Sequence, residues 1–540
     1  MTTVSTTMSA TPWLTILMLV PLVGALLVAF VPGSALNAKR MALGFSVVTL
    51  LLGIVAATTF DRASGAQFQL GEQHAWIPQF GVSYALGVDG IALVLILMAL
   101  VLTPICLLAA WHDVPEEVGP RGGQRVKTYF ALILVLETFM VGVFAATDVF
   151  LFYVFFEAML IPVYFLIGRF GGSRRQYAAM KFLLFSLAGG LIMLVAVIAL
   201  YFQGPGGSEG FLISRLTGLS MDPTTERLLF VGFFFAFAVK APMVPFHTWL
   251  PDAATESSPA TATLLVGVLD KVGTFGMIRF CLQLFPEASH WATPVVVALA
   301  VLSVIYGALL AIGQTDMMRL VSYTSVSHFG FIVLGIFAFT TVGQGGSTLY
   351  MVNHGFSTAA LFLFAAMLIR RRGSKRIPDF GGWQRITPAL AGIFLVAGLS
   401  ALALPGLSSF VSEFLVLVGS FSTQPVGTVI ATAGIILAAL YILLMYKRVA
   451  TGARPEGLVS AREHDRLDEP GRRGLTAVRD LTTREKLVAA PLIAAFVILG
   501  FVPNIALNVI NPAVDKTLSY VQHAIPNLNP AGTVAEGSSK

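Results

Sequence analysis

The chain has 540 residues, of which 56% are hydrophobic and 11% are charged, whereas an ordinary soluble domain has about 25% charged residues. This composition excludes a soluble enzyme and predicts an all-α polytopic membrane protein without a large soluble domain. The formal net charge of +6 could indicate nucleic-acid binding, but a basic excess in a membrane protein usually marks its cytoplasmic loops, so we expect no nucleic-acid partner.

Apolar stretches of about 20 residues, bounded by charge or by Gly and Pro, predict fourteen transmembrane helices. No Lys or Arg precedes the first run, so we expect a retained helix rather than a cleaved signal peptide. We expect the polar tail after Asn511 to be extended along the outer surface. In chain order the runs cover residues 13–30, 41–59, 91–111, 128–146, 149–168, 177–202, 228–249, 260–284, 291–312, 320–340, 348–369, 388–421, 426–446 and 486–501.

The distribution of Lys and Arg predicts the orientation of the chain. With the N-terminus outside, the odd-numbered connections hold 25 Lys and Arg residues. The even-numbered connections and the C-terminal tail hold six, namely Arg62, Arg215, Arg227, Arg279, Lys516 and Lys540. Because cytoplasmic loops carry the excess of Lys and Arg, we expect both termini on the external side, in a bacterial plasma membrane. The basic stretch 451–484 is then the longest cytoplasmic loop.

Six charged residues lie within the apolar runs, where a charge costs about 2.5–3.5 kcal/mol even on lenient scales. They must therefore be paired, hydrated or neutralised. Lys181 lies close to a helix end, where its side chain can snorkel to the interface. The six are Glu137, Glu157, Lys240, Asp270, Lys271 and Glu413.

Two of the runs contain helix breakers next to a charge. Pro242 and Pro245 follow Lys240 in the seventh run, and Pro405 precedes Glu413 in the twelfth. Since a broken membrane helix is tolerated where it lines a polar cavity, we expect discontinuous seventh and twelfth helices. Their separation by five helices predicts two inverted five-helix repeats, and two unrelated proline kinks are the alternative.

This reading divides the chain into four parts. Residues 1–127 hold the first three helices, 128–284 the first repeat (helices 4–8), and 285–446 the second repeat (helices 9–13). Residues 447–540 hold the basic loop, the fourteenth helix and the external tail.

The fourth and fifth runs place two carboxylates at similar depth. Glu137 lies ten residues before Thr147, at the turn between these runs, and Glu157 lies ten residues after it. Antiparallel helices would bring both carboxylates to mid-membrane, where they either face each other or Glu137 faces polar groups of another helix.

Lys271 lies too far from either end of the eighth run to snorkel, so a functional role is favoured. Its neighbour Asp270 points about 100° away on a helix, so the two need not pair. His328 and His354 follow in the tenth and eleventh runs among hydroxyl residues that can hold water, and imidazoles can relay protons. His247 beside the seventh-run break is a weaker candidate. No HxxxH or HxH spacing supports a metal site.

The sequence contains no nucleotide-binding loop and no nucleophile signature. The two cysteines, Cys106 and Cys281, lie in apolar runs, and neither a cysteine cluster for iron and sulfur nor a CxxCH haem motif occurs. Any redox centre is therefore expected in another chain.

Four segments together carry a family resemblance that extends from about Trp76 to Phe501. They are DVFLFYVFFEAMLIPVYFLIG, FAVKAPMVPFHTWLPDA, QTDMMRLVSYTSVSHFGF and PGLSSFVSEF. The chain closely resembles the antiporter-like membrane subunits of proton-pumping NADH:quinone oxidoreductase, respiratory complex I. The twelfth-helix residue is usually lysine in the wider family. Glu413 at this position resembles the chain M type, the counterpart of mitochondrial subunit 4.

The resemblance implies a fourteen-helix fold and a role for each matched residue. Glu157 and Lys240 would form a modulating ion pair, and Lys271 would be the central proton carrier. His328 and His354 would be the connecting relay, and Glu413 the exit-side or neighbour-coupling group.

The resemblance also implies which cofactors and partners to expect. NAD, FMN, iron–sulfur clusters and quinone would be bound by partner subunits, and this chain would hold none. Its neighbours would be the other membrane subunits of complex I, especially the antiporter-like ones, and membrane lipids. The alternatives are a subunit of a multisubunit sodium/proton antiporter or of an energy-converting hydrogenase, and a chiefly structural subunit.

Overall fold

The computed structural model describes residues 4–114 and 122–525. Over these residues the chain is mainly helical, as the composition predicts. The N-terminal half contains α1 (Trp13–Phe30), α2 (Ala35–Thr58), α3 (Gly90–Ala109), α4 (Gly122–Ala145), α5 (Val149–Ala158), α6 (Leu160–Phe170), α7 (Arg175–Gln203), α8 (Ile213–Leu216), α9 (Pro223–Lys240), α10 (Trp249–Glu256), α11 (Pro259–Leu264) and α12 (Lys271–Gly276).

The C-terminal half continues in the same way and ends in two helices joined by a bend of 68°. Its helices are α13 (Pro286–Ile312), α14 (Met317–Ile336), α15 (Thr341–Arg372), α16 (Trp383–Ile386), α17 (Pro388–Ala401), α18 (Ser408–Phe421), α19 (Pro425–Ala450), α20 (Ala461–Arg466), α21 (Glu469–Arg472), α22 (Thr483–Phe501) and α23 (Asn504–Ala524).

Short strands occur in the connections, which the all-α reading did not include. β1 (Thr6–Met8) pairs in parallel with β2 (Phe68–Ile77), and β2 forms an antiparallel hairpin with β3 (Val82–Val88). β4 (Leu458–Ser460) and β5 (Thr476–Val478) pair in parallel within the basic loop. The strands organise the loops at the helix ends and leave the helical class unchanged.

Among the described residues, ten helical spans are long and apolar enough to cross a membrane, and the bent pair α22 and α23 could add an eleventh. These correspond to eleven of the fourteen predicted runs. The other three, the seventh, eighth and twelfth, are interrupted and consist of separate helical pieces. The structure therefore describes an integral multi-pass membrane protein, while the count of fourteen, the inverted repeats and the four-part division stay predictions.

The two predicted breaks are confirmed. The seventh run divides into α9, which ends at Lys240, and α10, which begins at Trp249. The twelfth divides into α17, which ends at Ala401, and α18, which begins at Ser408. Proline explains both positions, because it removes a backbone donor and clashes with the preceding helical turn.

Two further interruptions were not expected. The fifth run is divided into α5 and α6 next to Glu157, since Pro162 cannot donate to the carbonyl of Ala158 four residues earlier. The eighth run contains two π-helical segments, Leu265–Leu269 and Met277–Leu282, on either side of α12. Such segments often mark functional sites, and an apolar run alone gives no sign of them.

The tail expected to be extended is helical as far as Ala524. In α23 the buried residues Ile510, Val514, Leu518 and Val521 form one face, and this face packs against α3 and α15. The polar residues on the other face made the segment look like a surface tail, but their helical spacing is that of an amphipathic helix.

Candidate functional site

Lys271 is the first residue of α12, and only Asp270 separates it from the preceding π-helical segment. Its side chain is fully buried. Its Nζ donates to the carbonyl oxygen of Val266 at 2.6 Å and lies 2.7 Å from Nδ1 of His354. The ring of Phe329 lies 5.1 Å from the same nitrogen. The lysine is therefore held between a backbone carbonyl of its own run and an imidazole of α15.

The predicted relay histidines lie side by side on α14 and α15. The ring centroids of His354 and His328 are 5.3 Å apart. Nδ1 of His328 lies 2.6 Å from the hydroxyl oxygen of Tyr350, which donates to Oε2 of Glu413 at 2.9 Å. All four side chains are buried, so the structure brings the central lysine, the relay histidines and the twelfth-run glutamate together.

These contacts form what we call the Lys271–Glu413 chain, and they fix the state of its second imidazole. Because the hydroxyl of Tyr350 donates to Glu413, it must accept from an Nδ1–H of His328. Nε2 of His328 then carries a lone pair, and the hydroxyl of Tyr441 lies 3.4 Å from it. The one step without a direct hydrogen bond among the described residues lies between the two histidines. The chain consists of Lys271, His354, His328, Tyr350 and Glu413.

Lys240 ends α9, next to the proline break, and is 1% exposed. Its Nζ faces the rings of Phe156 at 5.3 Å and Phe182 at 5.6 Å, and it makes no hydrogen bond within the described parts of the chain. Asp270 and Glu157 are the carboxylates near enough to interact with it electrostatically. Glu157 and Lys240 are thus near each other but form no ion pair within 4.0 Å in the described parts of the chain, so the expected modulating pair stays a prediction.

The position of Glu157 depends on a glycine in α7. A Cβ added at Gly190 would lie 1.6 Å from Oε1 of Glu157, so a larger residue there would require the glutamate side chain to shift. Glu137 faces elsewhere: it is fully buried and accepts from the hydroxyl of Ser46 on α2 at 3.1 Å. The structure therefore agrees with the alternative in which Glu137 meets polar groups of another helix.

The hydroxyls expected to hold water near His328 donate to backbone carbonyls instead. Ser322 donates to Met318, and Ser327 donates to Val304. His247 lies in the break between α9 and α10, buried and in edge contact with Tyr306, away from the Lys271–Glu413 chain. Among the described residues no group of three or more His, Cys, Asp and Glu side chains could hold a metal ion.

A charged cavity of about 620 Å³ opens at the end of α10. Here Asp252 forms ion pairs with Lys181 at 2.7 Å and with Arg319 at 2.6 Å. Lys181 was expected to snorkel, but a carboxylate from the broken seventh run is its partner. Lys375 lies 3.5 Å from Asp316 in the same cavity.

The position of Arg279 corrects the predicted number of Lys and Arg residues on the external side. We assigned it to an external connection, but it lies in the second π-helical segment and forms an ion pair with Asp89 at 2.6 Å, with both side chains almost fully buried. The count of Lys and Arg on the external side falls from six to five, and the asymmetry is strengthened.

Sequence reasoning gave no role to Tyr350, Tyr441 or Asp270. A signal existed for Tyr350, which precedes His354 by four residues and so shares its helix face. Tyr441 comes from a run without any charge, and no local pattern distinguishes it. Asp270 was identified as a buried charge, but its partners lie on other helices.

This chain is similar to a known protein family and to named relatives. A family described as "NADH:quinone oxidoreductase/Mrp antiporter, TM" matches residues 146–440. NADH-quinone oxidoreductase subunit M of Mycobacterium tuberculosis (strain ATCC 25618 / H37Rv) is 49% identical over 98% of this chain and 97% of its own length. The protein of the same name from Rhodobacter capsulatus is 37% identical over 97% of this chain and 99% of its own.

Two solved structures share the fold. A chain of respiratory complex I from Thermus thermophilus with bound NADH superposes with a TM-score of 0.82 at 28% identity, covering 94% of this chain and 99% of that one. A chain of the Mrp complex from Dietzia sp. DQ12-45-1b gives a TM-score of 0.81 at 22% identity, covering 95% and 98%. The second likeness concerns the fold alone.

Proposed function

This chain belongs to the family of NADH:quinone oxidoreductase and Mrp antiporter membrane subunits, and we propose that it is a proton-translocating membrane subunit of NADH:quinone oxidoreductase. Electron transfer from NADH to quinone takes place in other subunits, and this chain couples it to proton movement across the membrane. Relatives that match nearly the whole chain carry the name NADH-quinone oxidoreductase subunit M, which supports this choice.

The observation that carries the proposal is the Lys271–Glu413 chain. It joins helices α12, α15, α14 and α18 through buried groups that can each gain or lose a proton. A charge buried without use is costly in a membrane. A row of such groups, each at hydrogen-bond distance from the next except between the two histidines, is suited to stepwise proton transfer.

We propose that the chain moves a proton from Lys271 toward Glu413. The ammonium of Lys271 passes a proton to Nδ1 of His354, and the imidazolium passes one from Nε2 to His328 across the step that lacks a direct hydrogen bond. His328 then gives its Nδ1 proton to the oxygen of Tyr350 while the Tyr350 hydroxyl proton moves to Glu413. The cycle closes when Glu413 releases its proton on the exit side, the two imidazoles and the Tyr350 hydroxyl return to their starting tautomers and orientation, and Lys271 takes up the next proton.

The trigger in this proposal is the charge balance around Lys240. A carboxylate near a lysine favours the charged lysine, whereas burial favours the neutral one. When quinone reduction elsewhere moves Glu157 away from Lys240, the uncompensated positive charge makes Lys271 lose its proton more readily. One pKa unit corresponds to about 1.4 kcal/mol, so a small rearrangement suffices to start transfer.

The same proposal specifies the partner subunits of the chain and its location in the membrane. NAD, FMN, iron–sulfur clusters and quinone are held by partner subunits, and the lateral partners are the other antiporter-like membrane subunits. The excess of Lys and Arg in the odd-numbered connections supports both termini outside, and the bacterial relatives support a location in the bacterial plasma membrane. A sodium/proton antiporter subunit is the second candidate, since the family includes both classes.

The test is NADH-driven proton translocation in inverted membrane vesicles. Lys271→Ala is compared with wild type and with Lys486→Ala, which removes an exposed lysine at the start of α22, after native gels show that the complex assembles. We expect Lys271→Ala to lose proton translocation and Lys486→Ala to retain it. Normal translocation in Lys271→Ala would refute the proposal, and normal translocation with a defect in sodium tolerance alone would favour the antiporter class.

A further inference from the structure

We infer that Asp270 is a proton-carrying residue that passes protons between Lys240 and Lys271. This inference rests on the proposed function and adds a step before the Lys271–Glu413 chain. Asp270 is completely buried, and neither of its carboxylate oxygens has a hydrogen-bond partner among the residues that the structure describes. A buried carboxylate without such partners is costly, so its presence at this position needs a reason.

The packing of α12 shows which way Asp270 faces. Gly273 lies one helical turn further on, and a Cβ there would lie 2.6 Å from the backbone nitrogen of Ala241 and from the carbonyl oxygen of Phe237. Residues three apart share a helix face, so Asp270 is on the face that packs against the end of α9. Lys240 is the last residue of that helix.

Lys271 points to the other side. Its Nζ contacts His354 of α15, and its side chain leaves the helix roughly a quarter of a turn away from that of Asp270, since successive helical residues are about 100° apart. The π-helical segment ends immediately before Asp270, where the backbone nitrogen of Asp270 donates to Leu265 five residues earlier at 3.1 Å. Two adjacent charges can thus serve two different helices.

The charged groups around Asp270 also suit this role. Asp270 interacts electrostatically with Lys271 and with Lys240, whereas Glu157 is the second carboxylate near Lys240. Within the described ranges, no ion pair within 4.0 Å fixes Asp270 to either lysine, in contrast to the short pairs made by Asp252 and Asp89. A carboxylate that lies between two lysines and is bound rigidly to neither is suited to exchange a proton with both.

The two transfers balance. A proton leaves the ammonium of Lys240 and binds the carboxylate of Asp270, which gives a neutral amine and a neutral carboxylic acid. The carboxylic acid then gives its proton to the neutral amine of Lys271, which restores the carboxylate and forms an ammonium. No other reactant is needed, and the total charge of the three groups is the same before and after the two steps.

The experiment uses the assembled complex in inverted vesicles. Asp270→Leu replaces the carboxylate by a somewhat larger apolar group with the same branched skeleton, Asp270→Asn keeps its shape, and Asp270→Glu keeps its chemistry. Val272→Ala alters the packing of the same helical turn without changing a charge. We expect at least a tenfold loss of NADH-driven proton translocation for Leu and Asn, a loss of less than threefold for Glu, and wild-type behaviour for Val272→Ala.

If the carboxylate of Asp270 has only a structural role, the experiment should give a different result. A well-packed apolar group often replaces buried charge without loss, so Asp270→Leu would then assemble and translocate protons like wild type, which would overturn the inference. Failure of Asp270→Asn to assemble while Asp270→Glu assembles would also overturn it. Lys271→Ala in the same membranes separates the two proposals. If Lys271→Ala translocates protons normally, the proposed function fails. If Lys271→Ala loses translocation while the Asp270 variants translocate protons normally, this inference alone fails.

Discussion

Replacing Tyr350 by phenylalanine removes one oxygen atom from the middle of the Lys271–Glu413 chain. That oxygen lies 2.6 Å from Nδ1 of His328 and 2.9 Å from Oε2 of Glu413, and all three side chains are buried. The phenyl ring keeps the packing of α15 against α18. The substitution therefore separates a break in proton transfer from a loss of core volume.

The size of the effect follows from the two lost hydrogen bonds. Each contributes about 1–1.5 kcal/mol net, so the barrier for transfer from His328 to Glu413 rises by about 2–3 kcal/mol. At about 1.4 kcal/mol per factor of ten, we expect proton translocation to slow roughly 30- to 160-fold. Because redox chemistry and pumping are coupled in the proposed function, NADH oxidation should slow in parallel.

A second tyrosine offers a matched control. Tyr441 is equally buried, and its hydroxyl also approaches His328, but at 3.4 Å and on the other ring nitrogen. Tyr441→Phe should therefore slow translocation less than about threefold, since the bond that it loses is long. Both variants are measured as proton uptake by inverted vesicles per assembled complex. Equal rates for the two variants, or full activity of Tyr350→Phe, would refute the hydrogen-bonded route through Tyr350.

Two ion-paired carboxylates outside the Lys271–Glu413 chain, Asp252 and Asp89, should affect stability and assembly rather than proton transfer. Asp252→Asn leaves Lys181 and Arg319 close together without a carboxylate, so we expect a lower melting temperature of the purified complex and near-normal turnover per complex; unchanged melting would contradict this. Arg279→Gln leaves the buried Asp89 unpaired, which costs about 3–5 kcal/mol, so we expect much less assembled complex on native gels. Adding Asp89→Asn should restore at least half of it, and equal loss in the double variant would show that the pair is not the cause.

The sequence alone was sufficient to predict the class of protein and to identify most of the buried charged residues. Apolar runs are long and continuous, so their positions follow from composition, and Pro242 and Pro405 locate two breaks by their effect on the backbone. The break beside Glu157 was missed although Pro162 was visible, because a single proline inside an apolar run can kink a helix without ending it.

The partners of the charges could not be predicted from local pattern. Glu137 contacts Ser46 from a helix 91 residues away, and Asp89 contacts Arg279 across most of the first half of the chain. Such contacts depend on how the helices pack, which the periodicity of one helix does not determine.

The helix interruptions and the buried charges occur together, and one physical reason accounts for this. An uninterrupted helix satisfies its own backbone, so it offers a buried lysine no polar partner. At an interruption carbonyl oxygens become available, and Val266 accepts from the side chain of Lys271 at 2.6 Å. At the break after α9 the freed carbonyl of Val239 accepts from the indole nitrogen of Trp249 at 2.9 Å, and Lys240 itself makes no hydrogen bond within the described residues. At Lys271 the interruption thus stabilises charge where water is excluded. It also makes the position of that charge sensitive to small movements of the helix ends, as coupling to a distant redox reaction requires.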